Sequence, residues 1–294
     1  MCQSSPNGGR RNTGAFGGGP CDLDISLPFE DAKANFSKGE KGAHHSIAAS
    51  LISTLPESLS QRSEAEAVAR NICALAYMAG AETSFGSALA LIFALAHNPE
   101  VQANGQAELE SVVGTERLPL LSDRPSLPYI HALVKELGRW YNAGPLGVPH
   151  SNTEDDEYDG YFLPKGTMFL PNIWAMMHDP EVFERPFDFM PERYLKDGKL
   201  DLTVPDGDLA TFGFGRRVCP GRHFAKDTLF LFTASILATC QISRPRDAAG
   251  HFLVQTLELM NTTAAVPRPF KCHIEVVSLA GSARPPASVL WCSL

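Results

Sequence analysis

The sequence predicts a mainly α protein with small β-sheets, and three observations carry that prediction. A proline-free, Ala- and Leu-rich stretch runs from Ser63 to His97. Further helical stretches are expected at 98–113, 128–141 and 222–240. Between Val148 and Pro171, by contrast, Gly160, Pro164 and Gly166 separate short β-prone pieces, the pattern of a small sheet.

In chain order, residues 1–25 carry Asn7-Gly8-Gly9 and Gly17-Gly18-Gly19-Pro20 with few large apolar side chains. Such a composition buries little surface, so disorder is expected there. From Ser26 the pattern becomes globular, with no repeat of fixed period. Ser63-Glu64-Ala65-Glu66 has the form of a capping box and is expected to open one long buried helix to about His97. Asn98-Pro99 reads as an N-cap followed by proline at the first helical position, starting a helix to about Val113. Another is expected from Pro128 to Tyr141, and a last one from Arg222 to Cys240. Strands are expected near Phe252–Leu257 and Phe270–Val277, with 281–294 as a tail.

Composition narrows the function classes. The 294 residues are 44% hydrophobic and 20% charged, ordinary for a globular protein with a substantial core. A formal net charge of −8, with no basic stripe, argues against a general nucleic-acid binder, whose phosphate contacts need clustered Lys and Arg. The seven cysteines form no C-x-x-C pair, which argues against a disulfide framework or structural zinc and for reduced thiols. The apolar run Thr228–Cys240 is too short to span a bilayer, and neither a transmembrane anchor nor a signal peptide is expected.

Phe212-Gly213-Phe214-Gly215-Arg216-Arg217-Val218-Cys219-Pro220-Gly221 reads as a loop that presents one thiolate to an iron. Gly215 and Gly221 lack a Cβ, so the backbone can turn sharply and lie against a flat macrocycle. Cys219 supplies the ligand, and the helix that follows Pro220 favours its thiolate form. Arg217 is placed to pair with a cofactor carboxylate. This decapeptide resembles the haem-binding loop of the cytochrome P450 family, F-x-x-G-x-R-x-C-x-G, at every fixed position. The resemblance implies haem b as cofactor, with Phe212, Gly215, Arg217, Cys219 and Gly221 binding it and Cys219 ligating its iron.

Ala79-Gly80-Ala81-Glu82-Thr83-Ser84 places an acid and an alcohol within the apolar run, where Gly80 costs about 1 kcal/mol and suggests room for a ligand or a broken hydrogen-bond ladder. It resembles the family's oxygen-binding motif, which makes Glu82 and Thr83 the expected proton-relay pair; the plainer alternative is a solvated Glu and a Thr bonded to its own helix. Glu136 and Arg139, three apart on one helix face, and Arg193 in Pro191-Glu192-Arg193-Tyr194 resemble the family's E-x-x-R and P-E-R-F motifs. By that resemblance they form a buried structural network bracing the cysteine loop. Gly138 and Asn142 depart from the family pattern and are expected to weaken this helix or its exit. Ala143–His150 would line the substrate pocket. His150 and His178 lack metal-ligand spacing, and Gly213-x-Gly215 lacks a full dinucleotide fingerprint, so NADPH is not expected to bind directly.

The resemblance covers residues 26–280 as the haem-binding half of a catalytic domain whose amino-terminal portion is missing, so a truncated product or a mispredicted start is expected. The implied activity is insertion of one atom of O2 into a small apolar substrate. Electrons would come from an NADPH-dependent cytochrome P450 reductase, docked in part on Arg216, Arg217, Arg222 and Lys226. Two rivals are a non-catalytic remnant with weak or no haem binding and an electron-independent isomerase or dehydratase. The family places such enzymes at the endoplasmic reticulum surface; without an anchor, a cytoplasmic location is the alternative.

Overall fold

The computed structural model describes residues 27–38, 46–260 and 264–277. The expectations for residues 1–25 and for the tail 281–294 lie outside them. The chain divides into two units, residues 1–77 and 78–294.

In the first unit, α1 (Leu27–Ser37) and α2 (Ile47–Ser53) pack with the first part of α3 (Leu59–His97). Phe29, Ile52 and Ala69 form its small core, and Lys33 pairs with Glu66. Ser46 caps α2 by accepting from the Ala49 amide. The Ser63–Glu66 box therefore opens nothing: α3 begins four residues earlier, and Glu66 is spent on α1. Nor is α3 buried throughout. Val68, Ile72, Leu75, Tyr77, Met78 and Phe85 are exposed, and burial becomes continuous only from Leu89 to Ala96. Among the described residues α3 is the one helix long and apolar enough to cross a membrane by length and composition alone.

In the second unit, the end of α3, α4 (Pro99–Val112), α5 (Pro128–Trp140) and α8 (Arg222–Thr239) surround the main core, which includes Leu91, Leu95, Ile130, Leu133, Leu137, Phe230 and Leu237. Gly105 lets α4 and α8 approach: a Cβ there would stand 2.9 Å from Leu237 Cδ1. Pro99 takes the first helical position of α4, but Asn98 does not cap it; its Nδ2 donates back to Ala94 O. The amino end of α5 is capped from another helix, with the Tyr129 and Ile130 amides donating to the Glu108 carboxylate.

Small antiparallel sheets complete the mainly α fold. β1 (His150–Ser151) pairs with β4 (Met168–Phe169), and β2 (Asp156–Tyr158) with β3 (Tyr161–Leu163) across Asp159-Gly160, both at positive φ. α6 (Ile173–Met177) precedes β5 (Leu195–Lys196) and β6 (Lys199–Leu200), which form a hairpin, and α7 (Gly207–Thr211) precedes the cysteine loop. Phe252–Leu257 forms no strand and keeps one bridge, Phe252 to Arg246. The final pair is instead β7 (Cys240–Ser243) with β8 (His273–Val276). Gln102 secures β7, accepting from the Ile242 amide at 2.8 Å and donating to its carbonyl at 2.9 Å in a buried site.

Candidate active site

The cysteine loop is closed by one backbone bond, Cys219 N to Phe212 O at 2.8 Å, with a 3-10 turn (Gly215–Arg217) inside it. Gly213 (φ 78°) and Gly215 (φ 57°) both occupy the left-handed region, where a side chain is strained, and a Cβ on either would point into open space. Gly221 differs. It has an ordinary φ of −82°, and a Cβ there would meet only Cys219 Sγ, at 3.8 Å. Its lack of a side chain is not a backbone requirement of this loop. Cys219 is a free, half-buried thiol two residues before Gly221, which precedes α8. Arg216 and Arg217 are exposed, whereas Lys226 is engaged: its Nζ lies 2.6 Å from Asp208 Oδ2 and 5.7 Å above the Phe212 ring.

Glu136, Arg139 and Arg193 meet in the interior. Arg139 Nε and Nη2 donate to the two Glu136 oxygens at 2.8 Å each, and Arg193 Nε donates to Glu136 Oε2 at 3.0 Å. The Met190 amide adds a fourth bond at 2.9 Å. Arg139 Nη1 spans to the carbonyls of Met177 and Pro186, and Arg193 Nη1 to that of Glu184. Glu136 and Arg139 have no exposed surface. A contact path leads from here to the thiol. Gly207 opens α7 against Arg139, its would-be Cβ 3.3 Å from Arg139 Cβ; Thr211 closes α7 by donating to Gly138 O at 3.0 Å; and Phe212, next in sequence, holds Cys219.

Two ion pairs bracket α7, neither marked in the sequence by any local pattern. Asp206, its N-cap, lies 2.8 Å from Lys135 Nζ on α5, and Asp208 pairs with Lys226 on α8. Burial pushes the Asp206 carboxyl up, but the Lys135 hydrogen bond and charge outweigh it and hold the group below its usual range. Only the Asp206-Gly207 step, an N-cap residue before a short apolar run, signals α7 in the sequence.

On α3, Gly80 causes no break; the helix is continuous, and a Cβ at Gly80 would meet nothing within 4 Å. Glu82 and Thr83 are exposed, and Thr83 Oγ1 donates to Ala79 O at 2.8 Å. Gly86 has a reason the sequence does not show: a Cβ there would run into the Tyr141 hydroxyl, which donates to Ala265 O. Ala265 N in turn donates to Ala143 O. Leu146 and Val148 in the loop after α5 are exposed. His150 Nδ1 lies 2.6 Å from Val148 O. His178 is buried, stacked on Trp174 and Phe187. Burial lowers its pKa, against the bond to Trp174 O, and Arg139 adds to the lowering.

Comparison with known proteins gives a family model, "Cytochrome P450", matching residues 29–263. The chain is 49% identical over 255 residues to the cytochrome P450 monooxygenase COX1 of Coprinopsis cinerea, covering 86% of this chain and 49% of that protein. It is 44% identical over 255 residues to COX2 of the same fungus, covering 86% of this chain and 48% of the relative. With eriA of Hericium erinaceus the identity is 41% over 261 residues, 88% of this chain and 49% of the relative. The chain thus spans about half the length of these curated relatives.

Proposed function

We propose, since the chain belongs to the cytochrome P450 family, that it acts as a haem-thiolate monooxygenase inserting one atom of O2 into a small apolar substrate with electrons from a partner reductase. The observation that carries this reading is the Cys219 loop: one half-buried thiol, held by its own amide on Phe212 O, beside two glycines whose missing side chains leave open space. These residues fit a haem. Cys219 would hold the iron, Arg217 would pair with a carboxylate of the macrocycle, and Phe212, Gly215 and Gly221 would line the approach. When bound, haem ligated by a thiolate supplies dioxygen binding and O–O cleavage.

The chain's own residues then have defined tasks. Glu82 and Thr83 carry protons to the oxygen side, for which the Thr83 hydroxyl must leave Ala79 O. Glu136, Arg139 and Arg193 brace the loop through α7. With Lys226 held by Asp208 and Arg217 assigned to the macrocycle, reductase docking falls to Arg216 and Arg222. Residence at the endoplasmic reticulum surface belongs to the same proposal.

One observation favours a second reading, haem binding without productive turnover: Glu82 and Thr83 are exposed, and water at reactive intermediates diverts them. The test is a reduced, carbon monoxide-bound difference spectrum of the chain reconstituted with haem. A Soret band far to the red of a His-ligated haem, absent in Cys219→Ser, supports thiolate ligation; its absence from the parent chain overturns both readings. Product formed per NADPH consumed with a reductase then separates them.

A further inference from the structure

Apart from the cysteine loop, the second unit contains a cavity of about 330 Å³ lined by Arg124, Pro125, Pro128, His131, Lys199 and Leu200. Its nitrogen-bearing side chains come from three separate elements: Arg124 from a 3-10 turn (Leu121–Ser126), His131 from the first turn of α5, and Lys199 from β6. Two prolines stiffen the wall. We propose that this cavity binds a phosphate group, held by Arg124, His131 and Lys199.

The donor geometry supports an oxyanion. Arg124 Nη1 is committed to Asp227 Oδ1 at 2.7 Å, and its Nη2 lies 3.3 Å from His131 Nε2. Because a guanidinium only donates, His131 accepts at Nε2 and carries its proton at Nδ1. Nη2 keeps a second N–H for a ligand. Lys199 is exposed and has no carboxylate within 4.0 Å among the described residues. Donors on three elements lining one cavity suit the three oxygens of a phosphate group better than the two of a carboxylate, and a cationic lining repels metal ions. Backbone donors at the start of α5 are already used: Tyr129 and Ile130 N bond Glu108, and His131 N bonds Leu127 O. The ligand is therefore held by side chains.

The surrounding charges are arranged for the same outcome. His131 faces Arg124 from the 3-10 turn, Lys135 on its own helix, Lys226 from α8 and Asp206 from the N-cap of α7. Asp227, also on α8, reaches the site through Arg124, and Asp208 neutralises Lys226. Burial first, then the three cations, hold the His131 pKa down at about 4. A bound phosphate anion, singly charged at the pH of this titration, opposes that field and draws a proton onto the ring.

The test uses the full chain and inorganic phosphate, against chloride at matched ionic strength. The His131 ring titration is followed by NMR, assigned with His131→Gln. The expected result is a midpoint that climbs from about 4 as phosphate is added. Calorimetry near neutral pH should show saturable binding, weakened about tenfold in Lys199→Ala, which removes one charged hydrogen bond without disturbing a partner. Glycerol 3-phosphate is the second ligand: binding tighter than inorganic phosphate assigns the site to an organic phosphate ester, and weaker binding assigns it to the free ion. An unmoved His131 midpoint, or equal affinity in Lys199→Ala with an unchanged melting temperature, overturns the proposal.

Discussion

Replacing Glu136 by Gln keeps the shape of the side chain and removes one charge from a site with no exposed surface. Glu136 accepts four hydrogen bonds, two from Arg139 and one each from Arg193 and the Met190 amide. An amide nitrogen in place of either oxygen faces two donors instead of meeting them. Arg139 cannot shed its proton, so the guanidinium stays charged and buried. Breaking one partner of such a pair costs about 3–5 kcal/mol. That is a large part of the about 5–15 kcal/mol that holds a domain folded. The double variant Glu136→Leu, Arg139→Met removes both charges but strands Arg193 Nε, the Met190 amide and the carbonyls of Met177 and Pro186, each neutral group worth about 1–3 kcal/mol and the charged one more. It should therefore be destabilised by less than the sum of its single variants, by about 2 kcal/mol or more. Urea unfolding followed by circular dichroism gives these differences from midpoint and slope. Hydrogen exchange at the Cys219 amide reports on the loop, through the bond to Phe212 O. A loss below about 1 kcal/mol for Glu136→Gln would show that the guanidinium groups reach water and that the network does not hold. Normal protection of Cys219 in a destabilised variant would sever the network from the loop.

Other consequences are equally specific. Gly86→Ala should cost about 1–3 kcal/mol through the Tyr141 hydroxyl, and adding Tyr141→Phe should relieve much of it; purely additive melting data would refute the contact. With its folded pKa about 4 against 6.5 free, His131 favours the neutral ring. Its contribution is thus full above pH 6.5 and lost as pH falls toward 4, about 1–2 kcal/mol after allowance for partial solvent exposure; His131→Gln should flatten stability across that window. Gly215→Ala should destabilise the haem-free chain by about 1–2 kcal/mol because of its positive φ. Gly221→Ala should leave that stability unchanged and weaken haem uptake, measured by absorbance titration; equal behaviour of the two would remove the distinction between a turn glycine and an approach glycine.

Helices α4, α5 and α8 are legible because proline, periodicity and length agree within each segment. What the sequence hides depends on distant partners. β7 extends the apolar run of α8, so periodicity alone cannot separate strand from helix; only β8, some thirty residues on, makes it a strand. Phe252–Leu257 has the composition of a strand but pairs only through the single Phe252–Arg246 bridge, and Arg244 and Arg246 stack on Phe252. The apolar face of α3 reads as core by composition, yet Leu75, Tyr77 and Met78 are exposed. In the candidate site, Cys219, Glu136, Arg139 and Arg193 stand out by motif. Gly213, Gly86 and the two Asp–Lys pairs around α7 do not, since a positive φ, a hydroxyl at van der Waals range and a long-range ion pair leave no local pattern.

Gly138 and Asn142, each a departure from the family pattern, meet in the structure. Asn142 Nδ2 donates to Gly138 O at 2.9 Å, and Thr211 Oγ1 donates to the same carbonyl at 3.0 Å. Near a helix carboxyl end, carbonyls lack amide partners, so two side chains here complete what the helix leaves open. The expected weakness at the exit of α5 is thus offset by Asn142, while the flexibility of Gly138 remains. A Cβ at Gly138 would meet only Asp208 Oδ1, at an ordinary 3.6 Å. Gly138→Ala should therefore stabilise the chain by about 0.5–1 kcal/mol, the usual gain of alanine over glycine inside a helix. Asn142→Ala should cost about 1 kcal/mol by removing the side-chain bond. Both variants leave the Thr211 bond to the Gly138 carbonyl in place, so both should keep the Cys219 amide protected. If Gly138→Ala is destabilising, then Asp208 cannot yield to the new methyl group. The Asp208–Lys226 pair would then fix the spacing between α5 and α7, and with it the position of the cysteine loop.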